Sequence, residues 1–169
     1  PDCRLHVRRW GRPDASMLFL LHGWMDVSAS FQFTVDELQR DWNIVAPDWR
    51  GFGQSQWLHR PYYFAEHLGD MEAIVDRYAP DGKVRLAGHS MGGIIACLYA
   101  GIRPERVARV VTLEGFGIAP NQPDMAPERY RQWLGALKKP PRMHVYADRA
   151  AFARRLLHTD RYLTPERAA

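Results

Sequence analysis

Apolar residues recur along the chain in short continuous runs that alternate with longer stretches of helical spacing. Met17-Leu18-Phe19-Leu20-Leu21 is a run of strand length ending in His22-Gly23-Trp24-Met25. Trp42-Asn43-Ile44-Val45-Ala46-Pro47 is a second, followed by the glycine-punctuated loop Asp48-Trp49-Arg50-Gly51-Phe52-Gly53-Gln54-Ser55. Upstream, residues 4–10 alternate loosely and read as an edge strand, with Gly11-Arg12-Pro13-Asp14 as the turn. A helix is expected over about 30–40. A longer one is expected over about 63–78, where Phe64, Leu68, Met71, Val75 and Tyr78 share one face and Pro80-Asp81-Gly82 ends it. Val84-Arg85-Leu86-Ala87 opens another strand, Ile94 to Ala100 reads as a helix, and Val107 to Leu113 forms the last strand, ending in Glu114-Gly115-Phe116-Gly117. This alternation predicts an α/β protein with a mostly parallel sheet and helices on both faces. Beyond residue 117 the pattern changes. Pro120, Pro123, Pro127, Pro140 and Pro141 punctuate helical segments at about 127–138 and 148–158, and Thr164-Pro165-Glu166 reads as a helix start.

The chemistry concentrates where the fourth strand breaks. In Gly88-His89-Ser90-Met91-Gly92-Gly93 a strand turns at once into a helix through a glycine-flanked serine, the layout of a nucleophile elbow. A serine hydroxyl is a poor nucleophile at neutral pH, and this turn lifts its oxygen to the mouth of a helix whose first N–H groups are unpaired. The glycines two residues either side of Ser90 serve geometry, because a side chain there would collide with the neighbouring strand or helix. Ser90 is therefore the candidate nucleophile. The backbone N–H groups of Met91 and of Trp24, in the His22-Gly23 loop, are the candidate oxyanion donors.

Three motifs in register carry a resemblance. His22-Gly23, Asp48-x-Arg50-Gly51-x-Gly53-x-Ser55 and Gly88-x-Ser90-x-Gly92 stand at strand ends in the order of the α/β-hydrolase fold, and roughly the first 115 residues resemble its serine esterase and lipase-like branch. The resemblance implies that residues 1–116 are the N-terminal part of the core and that 117–169 are a partial helical cap roofing the site. It makes the Asp48 loop and His22 structural. The family's chain order is serine, acid, histidine, with the histidine in a loop after the last strand. His6, His22, His59, His67 and His89 all precede Ser90, while His144 and His158 fall in the expected cap, so the base is expected outside this chain, with His158 the alternative. Glu114 follows the strand next after the elbow, where haloalkane dehalogenases carry their acid; other members place an Asp one strand later, which would leave Glu114 a pocket-lining or hinge group. Serine at position 90, rather than aspartate, argues against dehalogenase or epoxide hydrolase chemistry. Trp24, Trp49, Trp57 and Phe116 flank the special loops and either wall an apolar acyl pocket or belong to the core; Trp24 and Phe116 are the candidate substrate-binding residues.

Composition bounds these readings. At 169 residues with 46% hydrophobic content the chain is of one-domain length and can bury a sizeable core. Cys3 and Cys97 suit neither a disulfide framework nor a C-x-x-C motif, and Cys97, on the apolar helix after the elbow, is expected to be a buried packing thiol. No secretory h-region or membrane-length apolar run is present, and a cytoplasmic location is expected. Charge is uneven: from residue 117 onward ten basic residues face five acids, while the rest of a chain of net charge +4 is close to neutral. The arginines alternate with apolar residues at helical spacing, which reads as the wet face of amphipathic helices rather than a nucleic-acid surface. No metal-ligand spacing, P-loop or complete dinucleotide fingerprint occurs, so no cofactor or metal is expected. The function expected is hydrolysis of an ester, thioester or related acyl bond on a small-molecule substrate, without a nucleic-acid or membrane partner. The alternative is a ligand-binding protein that kept the fold, or an inactive fragment needing a further segment. Oligomeric state does not follow from the sequence.

Overall fold

A computed structural model of the chain describes residues 2–115, 117, 122–139 and 144–168. They divide into two compact units, Pro1–Ala119 and Pro120–Ala169. The first is built on five strands, β1 (Val7–Gly11), β2 (Ser16–Leu21), β3 (Trp42–Pro47), β4 (Val84–His89) and β5 (Val107–Leu113), in the spatial order β1-β3-β2-β4-β5. β3, β2, β4 and β5 are mutually parallel, and β1 closes one edge antiparallel to β3. The mostly parallel sheet read from the hydrophobic pattern is therefore present.

Strand alternation divides the core into two layers. Phe19, Leu21, Val45, Val84 and Leu86 point to the face covered by α2 (Phe64–Tyr78) and α3 (Met91–Ile102), where Met71, Ile74, Val75, Ile95 and Tyr99 complete the larger cluster. Leu18, Leu20, Ile44 and Ala46 point the other way, onto Phe31 and the partly buried Val35 and Leu38. Here one expectation is corrected. In place of a helix over about 30–40 the chain forms a 3₁₀ turn (Ser28–Phe31) and a five-residue α1 (Gln32–Asp36). Thr34, Val35 and Asp36 are weak helix formers, and in so short a segment only tertiary packing stabilises the turn.

A second correction concerns Cys97, which is exposed, whereas Cys3 is the buried thiol; both are free. α3 is apolar on nearly every side, so periodicity does not reveal which face packs. Gly92, Gly93, Ile95, Ala96 and Tyr99 face the core, leaving Cys97 and Leu98 outside.

The second unit holds α4 (Ala126–Lys138), α5 (Arg149–Thr159) and the short α6 (Pro165–Ala168). The Asp148 carboxylate caps α5 by accepting the Ala151 N–H at 2.7 Å. Among the described residues no helix is long and apolar enough to cross a membrane.

Candidate active site

The strand order itself marks the place. β3 is added on one side of β2 and β4 on the other, so a crevice opens outside the C-terminal ends of β2 and β4, where ligands bind in open parallel sheets. The loops after β2, β3, β4 and β5 all leave the sheet at that edge.

β4 passes into α3 through a single residue. Ser90 has φ 49° and ψ −115°, a conformation proper to the first central residue of a type II′ turn and normally taken by glycine. It is held from both directions: its N–H donates to the Leu113 carbonyl at 2.8 Å, and its carbonyl accepts the Ile94 N–H at 3.1 Å. The flanking glycines are demanded by close approach. A Cβ on Gly88 would stand 2.5 Å from the Gly93 nitrogen, and one on Gly92 would stand 2.7 Å from the His22 carbonyl oxygen. Further packing of this kind was not read from the sequence. Gly93 and Gly115 lie back to back, and a Cβ on Gly115 would meet Gly93 Cα at 2.6 Å and the Ser90 carbonyl oxygen at 2.9 Å.

Among the described residues, three of the four non-glycine positions with positive φ are Met25, Ser90 and Glu114, one in each loop after β2, β4 and β5. Backbone strain of this kind clusters at functional sites. Glu114 is exposed and directly follows the residue whose carbonyl holds Ser90. No hydrogen bond to its carboxylate occurs among the described residues. Gly23 completes the floor: a Cβ there would lie 2.9 Å from His89 Nδ1 and 3.3 Å from Ser90 Cβ, which brings the loop after β2 against the elbow. The N–H groups of Trp24 and of Met91, the first residue of α3, meet no acceptor among the described residues. Ser90, Gly23 and the segment at 113–115 are thus brought together. Phe116 lies outside the described residues.

Of the tryptophans weighed as pocket walls, Trp49 is core. It is fully buried, its indole N–H donates to the His22 carbonyl at 3.0 Å, and its backbone N–H donates to His22 Nε2 at 3.0 Å. Trp24 and Trp57 are exposed, Trp24 packing edge-on to Phe52 at 5.1 Å. With Nε2 accepting, His22 carries its proton on Nδ1 and donates it to the Gly23 carbonyl at 2.8 Å. Burial lowers its pKa, so both nitrogens serve the loop as a neutral ring.

The loop after β3 is fastened by ions. The Asp48 carboxylate accepts the N–H groups of Ser28 at 2.7 Å and Gln54 at 2.9 Å. Burial works against its charge, but these bonds outweigh it and hold the carboxyl below its ordinary pKa. Arg50 forms a two-toothed pair with Asp70 of α2, both bonds 2.7 Å, and a third bond to Glu66 at 2.6 Å. Contacts therefore run without a break from α2 through Arg50, Trp49 and His22 to Gly23 and Ser90. The sequence carries a faint sign of this clamp, because Glu66, His67 and Asp70 interrupt the face of α2 that also bears Met71 and Ile74.

His67 is 3% exposed, packs edge-on to Trp49 and Phe64, and leaves Nδ1 without a partner. Burial lowers its pKa below 6.5, against the pull of Asp70 and Glu66 and with the push of Arg50 and His22. The unfolded chain then binds more protons below about pH 6.5, so folding stability falls as pH drops from there toward the folded-state value. Urea midpoints at pH 7.5 and 5.0 should show this decline, and His67→Phe should flatten part of it. An undiminished slope in that variant would assign the whole effect elsewhere.

A profile of the α/β hydrolase fold matches residues 17–167, and the chain belongs to that family. It is 35% identical over 126 residues to a serine hydrolase-like protein of Danio rerio, covering 72% of this chain and 38% of that one. It is 37% identical over 110 residues to a pimeloyl-acyl-carrier-protein methyl ester esterase of Vibrio parahaemolyticus, covering 64% and 40% respectively. Among solved structures, a hypothetical protein of Pseudomonas aeruginosa superposes with TM-score 0.82 at 28% identity, covering 98% of this chain and 60% of that one. The chain spans about two fifths of the length of these two curated relatives.

Proposed function

We propose that this chain is the nucleophile-bearing part of a serine hydrolase that cleaves an ester, thioester or related acyl bond through an acyl-enzyme. The observation that carries the reading is the strained, doubly tethered backbone of Ser90 at the β4–α3 junction. In this reading Ser90 Oγ attacks the acyl carbon while the Trp24 and Met91 N–H groups hold the developing oxyanion. An imidazole outside the described residues takes the serine proton and returns it to the leaving alcohol or thiol. Water then releases the acid and restores the serine. Glu114 is the acid that orients this imidazole, supported by its place one residue after the strand end tied to Ser90. Trp24 and Phe116 are the substrate-binding residues of this reading, and residues 117–169 correspond to part of the family's helical cap. The two unpaired thiols suit a reducing cytoplasm. A serine nucleophile, unlike an aspartate, forms no alkyl ester with an epoxide.

A fluorophosphonate probe tests the reading. The protein carrying the remaining segment should be labelled, and Ser90→Ala should abolish labelling. Unlabelled protein that still binds acyl ligands would reassign the fold to non-catalytic binding. The 169 residues alone should turn over esters negligibly, since no histidine is bonded to Ser90 among the described residues; full rates from them would identify a base within this chain, with His158 the first to replace.

A further inference from the structure

Phe52 lies in the loop after β3, between Gly51 at φ 78° and Gly53 at φ 53°, two left-handed positions where a Cβ would run into Tyr62 and Asp48 respectively. Its N–H donates to the Trp49 carbonyl at 2.9 Å, and its carbonyl accepts the Ser55 N–H at 3.0 Å. The partly buried ring packs on the larger core cluster and meets His22 edge-on at 5.8 Å. The base of the loop is closed as well. Arg50 and Arg60, at its two ends, share the same two carboxylates, Glu66 at 2.6 Å from each and Asp2 at 3.1 and 2.7 Å. Phe52 is thus a fixed ring. Trp24, by contrast, is 65% exposed, and the one aromatic ring it meets among the described residues is Phe52, edge-on at 5.1 Å.

We propose that Phe52 is a specificity-determining residue, which braces the Trp24 ring as an apolar wall beside Ser90 and so favours acyl groups with a hydrocarbon chain of several carbons over acetyl. The inference rests on the acyl-transfer reading and deepens it by naming the acyl class.

Position along the chain supplies the length. Gly23 lies against Ser90 Cβ, and Trp24 is the next residue, its Cα about 3.8 Å further on. In the acyl-transfer reading its N–H serves the oxyanion, so its indole starts a residue's length from the reacting carbon and reaches acyl carbons beyond the second. An acetyl group ends short of it. Bracing supplies the preference. An unheld indole would give up rotamer freedom each time an acyl chain bound, whereas one already held by Phe52 does not, so the contact favours the longer chain in full. His22, Phe52 and Trp24 form an aromatic series without charge, His22 being a neutral ring, which suits hydrocarbon. Phe52 acts through Trp24 and touches no reacting atom.

Hydrolysis of p-nitrophenyl octanoate and p-nitrophenyl acetate by the protein carrying the remaining segment tests the assignment, read as the ratio of their kcat/KM values. The wild-type protein should favour octanoate. Phe52→Leu keeps an apolar side chain on the core but leaves no ring for Trp24 to meet, and should lower the ratio about fivefold with the circular dichroism spectrum unaltered. Phe52→Tyr keeps the ring and should hold the ratio within about twofold of wild type. In a Trp24→Ala background Phe52→Leu should move the ratio no further, because the brace has nothing to hold. A wild-type preference for acetate, an equal loss on both esters in Phe52→Leu, or a further fall of the ratio in the Trp24→Ala background would overturn the inference. Each of these outcomes requires ester turnover and leaves the nucleophilic role of Ser90 standing. Absence of fluorophosphonate labelling in the wild-type protein overturns the hydrolase reading and this inference together.

Discussion

Ser90→Gly should make the protein more stable and inert at once. The serine occupies φ 49° and ψ −115°, where a side chain costs of order 1–3 kcal/mol and glycine costs almost nothing. Against that relief stands the greater freedom of glycine in the unfolded chain, about 0.4–1 kcal/mol. The Ser90 hydroxyl makes no hydrogen bond among the described residues that would be lost. A net gain of about 1 kcal/mol follows, a rise of about 2–4 °C in the thermal midpoint for a chain of this size. Ser90→Ala keeps the Cβ and therefore the strain, and should leave stability near the wild-type level. In the protein carrying the remaining segment, either variant should lower acyl turnover by about 10⁴–10⁶-fold, the scale of removing a catalytic nucleophile. Differential scanning calorimetry beside fluorophosphonate labelling separates the two effects. If Ser90→Gly proves no more stable than Ser90→Ala, the elbow stores no strain at this position.

Asp70→Ala should cost about 3 kcal/mol, because it removes the two-toothed partner of the buried Arg50 guanidinium and leaves it only its bonds to Glu66 and to the more exposed Asp2. The Asp70 side chain is fully buried and that of Arg50 is 4% exposed. A loss of this size is a large part of the total stability of an ordinary domain. Replacing both partners with apolar residues, Arg50→Met with Asp70→Leu, should recover most of it, since no buried charge then remains unpaired. Urea denaturation of the two single variants and the double variant measures the coupling. Additive losses would show that the pair is not acting as a unit. The loop it fastens leads through Trp49 and His22 to Gly23, so Asp70→Ala should also slow labelling of Ser90 under conditions where the variant remains folded.

The parts of this protein legible in its sequence share a physical property: each is local. β3 and β5 coincide with their apolar runs, and α2 differs from its expected start by one residue, Tyr63 serving as its N-cap. The elbow is legible because a strand, a single turning residue and a helix are contiguous, and because the glycines at 88 and 92 record how closely the backbones pass. The short α1 was not legible, since the residues from Ser30 to Arg40 have adequate helical spacing but weak propensity, and packing decided the outcome. The exposure of Cys97 was not legible for the opposite reason: a helix with apolar residues all round gives no sign of which side meets the sheet.

The sequence by itself determined the alternation of strands and helices, the family and the turn that exposes Ser90, because hydrophobic period, turn chemistry and glycine spacing act over a few residues. Only the tertiary structure decided what lies against that turn. It showed Trp49 to be core, tied the Ser90 N–H to Leu113, set Gly93 on Gly115 and drew Arg50 to Asp70. These contacts join residues about 20 or more positions apart. Their existence depends on strand order and register, which no local pattern encodes.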